Sequence, residues 1–233
     1  MDLNVKQLIE RKRKWSEPLR PEDIAKGFKG WYSSKYLPHF DSPGAHQYMT
    51  YRLADSMPAE RRHEWECFLH LEDDLEKQRK IEHYLDLGYG ACHLRNPQVA
   101  DVIQGNLWHH DGRKYRLLAW VLMPNHIHAL IEVWQVPLGK ILQSWKSYTS
   151  KEVNKILGRE GTFWEEDYFD RYIRDETHFG RVVRYIENNP VKAGLVKTKE
   201  EWLWSSARYR SRADLSARTL THPGAQRVPS PPV

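Results

Sequence analysis

Two imidazoles separated by one residue stand in the apolar run Trp120-Val-Leu-Met-Pro-Asn-His-Ile-His-Ala-Leu-Ile-Glu-Val-Trp134. On a β-strand successive side chains alternate faces, so His126 and His128 point to one side and Ile127 to the other. A buried imidazole needs a hydrogen bond or a metal, and a same-face pair supplies two ligands of a divalent-cation site. With twelve His in 233 residues, about 0.6 His-x-His triplets arise by chance, so hydrogen-bonded structural histidines compete with metal ligands as the explanation.

A second constellation lies downstream. Tyr185 and Asn189 stand at i and i+4 and share a helical face. A phenol beside a carboxamide oxygen is what a tyrosine nucleophile next to a third metal ligand requires. A neutral oxygen ligand leaves a divalent cation enough charge to polarise a phosphate. The bland alternative makes Tyr185 a core residue and Asn189 the polar stop before Pro190. Tyr148 and Glu152 have the same i, i+4 relation, with Lys146, Lys151 and Lys155 nearby, and residue chemistry alone does not separate the two tyrosines.

The elements that must position these groups follow from pattern. Gln47–Leu53 reads as a first strand. From Pro58 to about Leu87 the apolar positions Trp65, Phe68, Leu69, Leu71, Leu75 and Ile81 predict an amphipathic helix that ends near Gly88. Asn96-Pro97 caps a second helix reaching about His109, and Asp111-Gly112 turns into a strand over 114–122. Pro124-Asn125 turns again into the His-x-His strand, 126–134. Pro137 opens a helix carrying Leu138, Ile141, Leu142, Trp145 and Val153, closed by Gly158. Residues 163–173 read as loop plus strand, and Thr177–Asn188 as a helix stopped by Asn189-Pro190. This order predicts an α+β fold, an antiparallel sheet with helices packed mainly on one face. The histidines would then face away from the helical layer or into a gap in it, and function would sit on that open face.

Composition narrows the class. The chain suits one globular domain, 46–209, preceded by a basic arm, 1–45, with the run Arg11-Lys-Arg-Lys14, and followed by a basic, Pro-rich tail, 210–233, that reads as disordered. No apolar run is long enough for a membrane span and no signal peptide is visible, which predicts a cytoplasmic protein. Cys67 and Cys92 form neither a disulfide framework nor a metal knuckle. Net charge is +5, consistent with a polyanionic partner. Residues 1–35 carry nine Lys/Arg against five Asp/Glu, whereas residues 55–90 carry five against ten. If nucleic acid binds, that acidic segment should face away from it.

Taken together, Met123-Pro-Asn-His-Ile-His-Ala-Leu-Ile131, Trp164 with Tyr168-Phe-Asp-Arg-Tyr-Ile-Arg174, Tyr185-Ile-Glu-Asn-Asn-Pro-Val-Lys-Ala-Gly-Leu-Val196 and Trp202-Leu-Trp-Ser-Ser206 resemble the REP-associated tyrosine transposases. These are single-tyrosine members of the HUH nuclease superfamily, and the resemblance covers roughly residues 45–209. It implies a ferredoxin-like, HUH-type fold. It implies Tyr185 as nucleophile, ahead of Tyr148, and His126, His128 and Asn189 as ligands of Mg²⁺ or Mn²⁺. The implied reaction is metal-dependent transesterification of single-stranded DNA beside hairpins of repetitive extragenic palindromes, through a 5′-phosphotyrosine. A bacterial, nucleoid-associated monomer or homodimer is expected, with Lys192, Arg184, Trp164 and Trp204 as candidate DNA contacts. Two alternatives remain at this level: a catalytically inactive, domesticated binder of structured DNA, and a phosphodiesterase that uses water. Covalent attachment of DNA to Tyr185 separates them from a transposase.

Overall fold

The computed structural model describes residues 18–210 apart from 35–36, 58–59, 61–62 and 64–73. The basic run at 11–14, the upstream half of the helix predicted from Pro58, and the tail beyond residue 210 lie outside the described residues.

Four strands form the central antiparallel sheet: β3 (His46–Arg52), β4 (Tyr115–Leu122), β5 (His126–Val133) and β6 (Phe169–Tyr172), in the order β4-β5-β3-β6. Thr50 pairs with His128 and Arg52 with His126, so side chains at 48, 50 and 52 share the histidine face. The opposite face carries Met49, Tyr51, Ile127, Ala129 and Ile131, which form the main core. Two helices cover that core, α3 (Pro97–His109) and α4 (Leu138–Ile156). Asn96 caps α3 by accepting from Gln98 N at 3.0 Å. On α4, Leu138, Ile141, Leu142, Trp145, Thr149 and Val153 are buried, the 3.6-residue stripe that the sequence predicts.

The histidine face is not open. Helix α5 (Glu176–Lys192) lies against it, with Ile186 packed on Tyr48, Val121, Met123 and Leu130. Helix α2 (Asp74–Asp86) also reaches this side, through Glu82. The reason is the amphipathic character of α5, whose apolar side needs a sheet face after α3 and α4 have taken the other.

Helix α5 also corrects the expected stop at Asn189-Pro190, because it runs through Pro190 to Lys192. A helical proline loses one N–H bond, but here it lies in the last turn. The stop is Gly194, at φ +69. Its N–H donates to Val191 O (3.0 Å), and Leu195 N–H donates to Pro190 O (2.9 Å). This pair of bonds is a Schellman closure, and it satisfies the carbonyls of the last turn.

The arm residues include a short helix, α1 (Pro21–Ala25), and a hairpin of β1 (Gly30–Ser34) and β2 (Leu37–Asp41). The hairpin docks beside β6 through His39, whose ring is fully buried. His39 Nδ1 bonds the Asp170 carboxylate, its Nε2 lies 3.1 Å from Asp167 Oδ1, and Phe40 N–H donates to Asp170 (3.1 Å). The Tyr168 ring lies 4.3 Å from the imidazole.

Burial alone would lower the His39 pKa, but the two carboxylates outweigh it and raise the pKa to about 9 from 6.5. A folded value above the unfolded one means stabilisation that is complete below pH 6.5 and lost as pH rises through about 9. Thermal denaturation should therefore show stability falling between these limits, by at most about 3 kcal/mol. In His39→Gln that slope should vanish, and an unchanged slope would exclude the latch. Gly194→Ala meets no neighbour within 4 Å but forces a left-handed alanine, and should cost about 1 kcal/mol in the same measurement.

Candidate active site

The site begins in the tight connection between β4 and β5. Met123 N–H donates to His126 O (2.9 Å) and Leu53 N–H to Asn125 O (2.8 Å), pinning the Pro124-Asn125 turn to β3. Asn125 is fully buried, and its Nδ2 donates to Tyr89 O at 3.0 Å. Its Oδ1 therefore faces His126 Nδ1, 2.8 Å away, which fixes the proton of His126 on Nδ1.

His128 is held in the same way from the other side. Its Nδ1 lies 2.8 Å from both Tyr48 Oη and Thr50 Oγ1. Thr50 donates to Tyr48 (3.0 Å), and Tyr48 donates to Glu82 Oε1 (3.0 Å). Each hydroxyl proton is thereby used, so Nδ1 of His128 is the donor into this chain.

Both Nε2 atoms then carry lone pairs, and they face each other at 3.1 Å. A proton does not relieve this contact. Burial, reinforced by the charge of Lys192, pushes His126 down to about 3. Burial, the His126 charge and Lys192 together hold His128 well below its usual value. Two neutral, converging imidazole nitrogens fit a divalent cation.

Helix α5 completes the arrangement. The Tyr185 ring lies 5.4 Å from that of His128 and 6.1 Å from that of Tyr48. One turn on, Asn189 is buried with no hydrogen bond to Oδ1 or Nδ2 among the described residues, and the Tyr185 hydroxyl is likewise buried without one. Unpaired buried amides and hydroxyls are costly. Their presence beside two converging imidazoles marks a place built for a ligand. No group of three His, Cys, Asp or Glu side chains that could hold a metal ion occurs among the described residues. Burial, then the charges of Glu82 and Asp86, push the Tyr185 phenol well above its usual value. Its proton must leave during any attack.

Lys192 lies on the same face of α5, with Nζ 5.7 Å from the centre of the Tyr185 ring and 3.2 Å from Asp86 Oδ2. Arg184 is exposed on α5. Tyr148 is half exposed on α4, and α4 packs on the other face of the sheet, so the structure does not bring Tyr148 to the histidines. Trp164 and Trp204 are corrected as DNA contacts. Both indoles are buried in the main core, with Nε1 of Trp164 on Thr149 Oγ1 and Nε1 of Trp204 on Asp101 Oδ1, 2.8 Å each. A ring packed on both faces has no surface for a base.

Sequence reasoning missed Tyr48, Thr50, Glu82 and Asp86. The expectation that the acidic 55–90 segment faces away from the working surface is overturned at its C-terminal end. Glu82 and Asp86, one turn apart, lie among the site residues, because the helical period that buries Ile81, Tyr84 and Leu85 turns Glu82 inward with them. Alternation on β3, polar Thr50 and Arg52 between apolar Met49, Tyr51 and Leu53, was a readable signal for the first two.

Residues 100–189, which include the histidine pair, Tyr185 and Asn189, match the family model "Transposase IS200 like". A REP-associated tyrosine transposase of Escherichia coli (strain K12) is 29% identical over 96 residues, covering 40% of this chain and 55% of that protein. A putative REP-associated tyrosine transposase of Haemophilus influenzae is 25% identical over 103 residues, covering 40% and 58%. The chain thus spans little more than half the length of the curated relatives it matches. A solved REP-associated tyrosine transposase bound to a REP hairpin aligns at a TM-score of 0.48 and 18% identity, over 78% of this chain and 88% of that one. The chain is thus similar to IS200-like transposases over residues 100–189 and, across about 40% of its length, to REP-associated tyrosine transposases.

Proposed function

We propose that this protein is a metal-dependent single-strand DNA transesterase that cleaves and rejoins DNA beside hairpins. The observation that carries the reading is the facing of two unprotonated Nε2 atoms, 3.1 Å apart, beneath an unpaired tyrosine hydroxyl and an unpaired amide. A structural histidine pair would not be set lone pair against lone pair.

His126 and His128 through Nε2, with Asn189 through Oδ1, would hold Mg²⁺ or Mn²⁺. Such a cation supplies charge stabilisation to a non-bridging oxygen of the scissile phosphate. Asn125 and the Tyr48–Thr50 pair keep the two imidazoles in the ligating tautomer. Tyr185 Oη attacks phosphorus in line. A tyrosyl oxygen–phosphorus bond forms and the bond to the 3′ oxygen breaks, leaving a 5′-phosphotyrosine and a free 3′-OH. The ester energy is kept, so the strand can be rejoined by the reverse step. Lys192, beside Tyr185, and exposed Arg184 are suited to phosphate contacts on the strand. Hairpin DNA as substrate rests on kinship with proteins named for REP elements, and no helix among the described residues is long and apolar enough to cross a membrane.

Single-stranded hairpin DNA incubated with Mn²⁺ and resolved on denaturing gels should give a protein–DNA adduct. Tyr185→Phe should abolish it and Tyr148→Phe leave it. Loss with Tyr148→Phe alone would overturn the nucleophile, and cleavage unimpaired in Tyr185→Phe would favour a water-using phosphodiesterase. Tight binding without an adduct would favour a binding protein. Mn²⁺ at about one hundred times its Kd should raise stability by about 2.7 kcal/mol in the wild type and not in His126→Ala, as read by thermal denaturation. Equal shifts in both would remove the metal site, and chelation should reverse the wild-type shift.

A further inference from the structure

Upstream of Tyr185, the first half of α5 and the end of β6 carry positive charge that the transesterification step does not use. On the helical face of Tyr185, Arg181 stands at i−4 and His178 at i−7. At 1.5 Å per residue the imidazole therefore lies about 10 Å along the helix axis from the tyrosine. Exposed Arg184 folds back along the same helix, so that a Cβ on Gly180 would lie 3.6 Å from its Nη1. Arg174, just beyond β6, and Arg181 are both exposed, and the Arg174 guanidinium lies 5.7 Å from the centre of the Tyr172 ring.

His178 organises this surface. Its Nδ1 accepts from the backbone N–H of Arg174 at 3.3 Å, so the proton of the neutral ring sits on Nε2, which is a donor. Partial burial, then the charges of Arg171 and Arg181, lower its pKa from the usual 6.5, with Arg174 adding to them and Asp175 opposing. The ring is therefore neutral at neutral pH and contributes an N–H rather than a charge. The Asp175 carboxylate is engaged as the helix cap, accepting from His178 N at 2.7 Å. Glu176 is two residues from His178, which turns it by about 200° to the other side of α5. Two exposed guanidiniums around a fixed neutral donor match a phosphodiester, which accepts charge-assisted bonds from arginine and a further bond from the imidazole.

We propose that Arg174, His178 and Arg181 form a second phosphate site, holding the DNA strand by a backbone phosphate next to the scissile one, with Arg184 bridging from that site to Tyr185. A strand held there runs along α5, which fixes its direction past the tyrosine and aligns the scissile phosphorus with Tyr185 Oη. The contact is to the backbone and carries no base preference.

The site takes its substrate from the transesterase reading, and one set of measurements tests the two separately. Hairpin DNA with randomised single-stranded flanks is titrated with protein in chelator over a range of salt, and adduct formation with Mn²⁺ is measured on the same proteins. Arg174→Gln and Arg181→Gln should each weaken binding by about tenfold at low salt. Each should also make the fall of log affinity with log salt shallower by about 0.7. Arg181→Lys, which keeps the charge, should keep the slope. His178→Ala removes a neutral donor and should weaken binding by about threefold with the slope unchanged. Lys151→Gln is the same loss of charge at an exposed position of α4, across the sheet, and should bind within about twofold of the wild type. Arginine variants that bind like Lys151→Gln overturn the proposal, as does wild-type affinity in His178→Ala. Weaker binding of the arginine variants with the wild-type slope also overturns it, because their role would then be structural and not ionic. A Tyr185 adduct in the wild type together with undiminished affinity in the arginine variants removes the phosphate site alone. Weakened arginine variants without any wild-type adduct defeat the transesterase reading and leave the phosphate site standing, and a wild type that does not bind the hairpin overturns both.

Discussion

Two imidazole nitrogens with their lone pairs aimed at each other, 3.1 Å apart and out of contact with water, form the constraint on which the rest of the structure depends. Left alone, the rings would turn away or share a proton. They are denied both. Asn125 is locked to Tyr89 and so offers only an oxygen to His126, and the Tyr48–Thr50 hydroxyls spend their protons elsewhere, so His128 must donate. Antiparallel pairing of β3 with β5 sets Thr50 opposite His128, which makes this outer ring of contacts a product of strand register. A slip of one residue would put Met49 and Tyr51 on the histidine face and dissolve the arrangement.

The same constraint explains the shape of α5. To place Tyr185 over His128 with Asn189 one turn beyond, the helix must continue past residue 189, and it does so despite Pro190. The cost is small because proline falls where the helix is about to end, and the Schellman closure at Gly194 satisfies the last carbonyls. Glu187, on the far side of the same turn, is held by Lys199 at 3.2 Å and by Ser206 at 2.9 Å. The helix that carries the proposed nucleophile is therefore fixed at its start by the Asp175 cap, at its middle by Glu187 and at its end by Gly194.

Electrostatics divides the molecule. On the histidine side, Glu82 and Asp86 balance Lys192 and keep the local field from becoming uniformly positive. At the β6 edge, His39 between Asp167 and Asp170 ties the N-terminal hairpin to the sheet. Nearby, Lys146 donates to three successive carbonyls, of Glu165, Glu166 and Asp167. That clamp organises the segment leading into β6, so β6 pairs with β3 rather than fraying as a short edge strand.

What could be read from the sequence was local and periodic. Alternation put His126 and His128 on one face of a strand, Asn96-Pro97 marked a helix start, the stripe from Leu138 to Val153 marked α4, and i, i+4 spacing joined Tyr185 to Asn189. Family motifs chose between Tyr185 and Tyr148, a choice that residue chemistry had left open. Tertiary structure decided everything that depends on which faces meet. It covered the histidine face with α5, sent Tyr148 to the opposite side, and buried Trp164 and Trp204 in the core. It also turned Glu82 inward from a segment whose net charge had suggested a solvent face. The physical reason is that period and capping are properties of neighbours along the chain, whereas burial and proton placement are set by elements far apart in sequence.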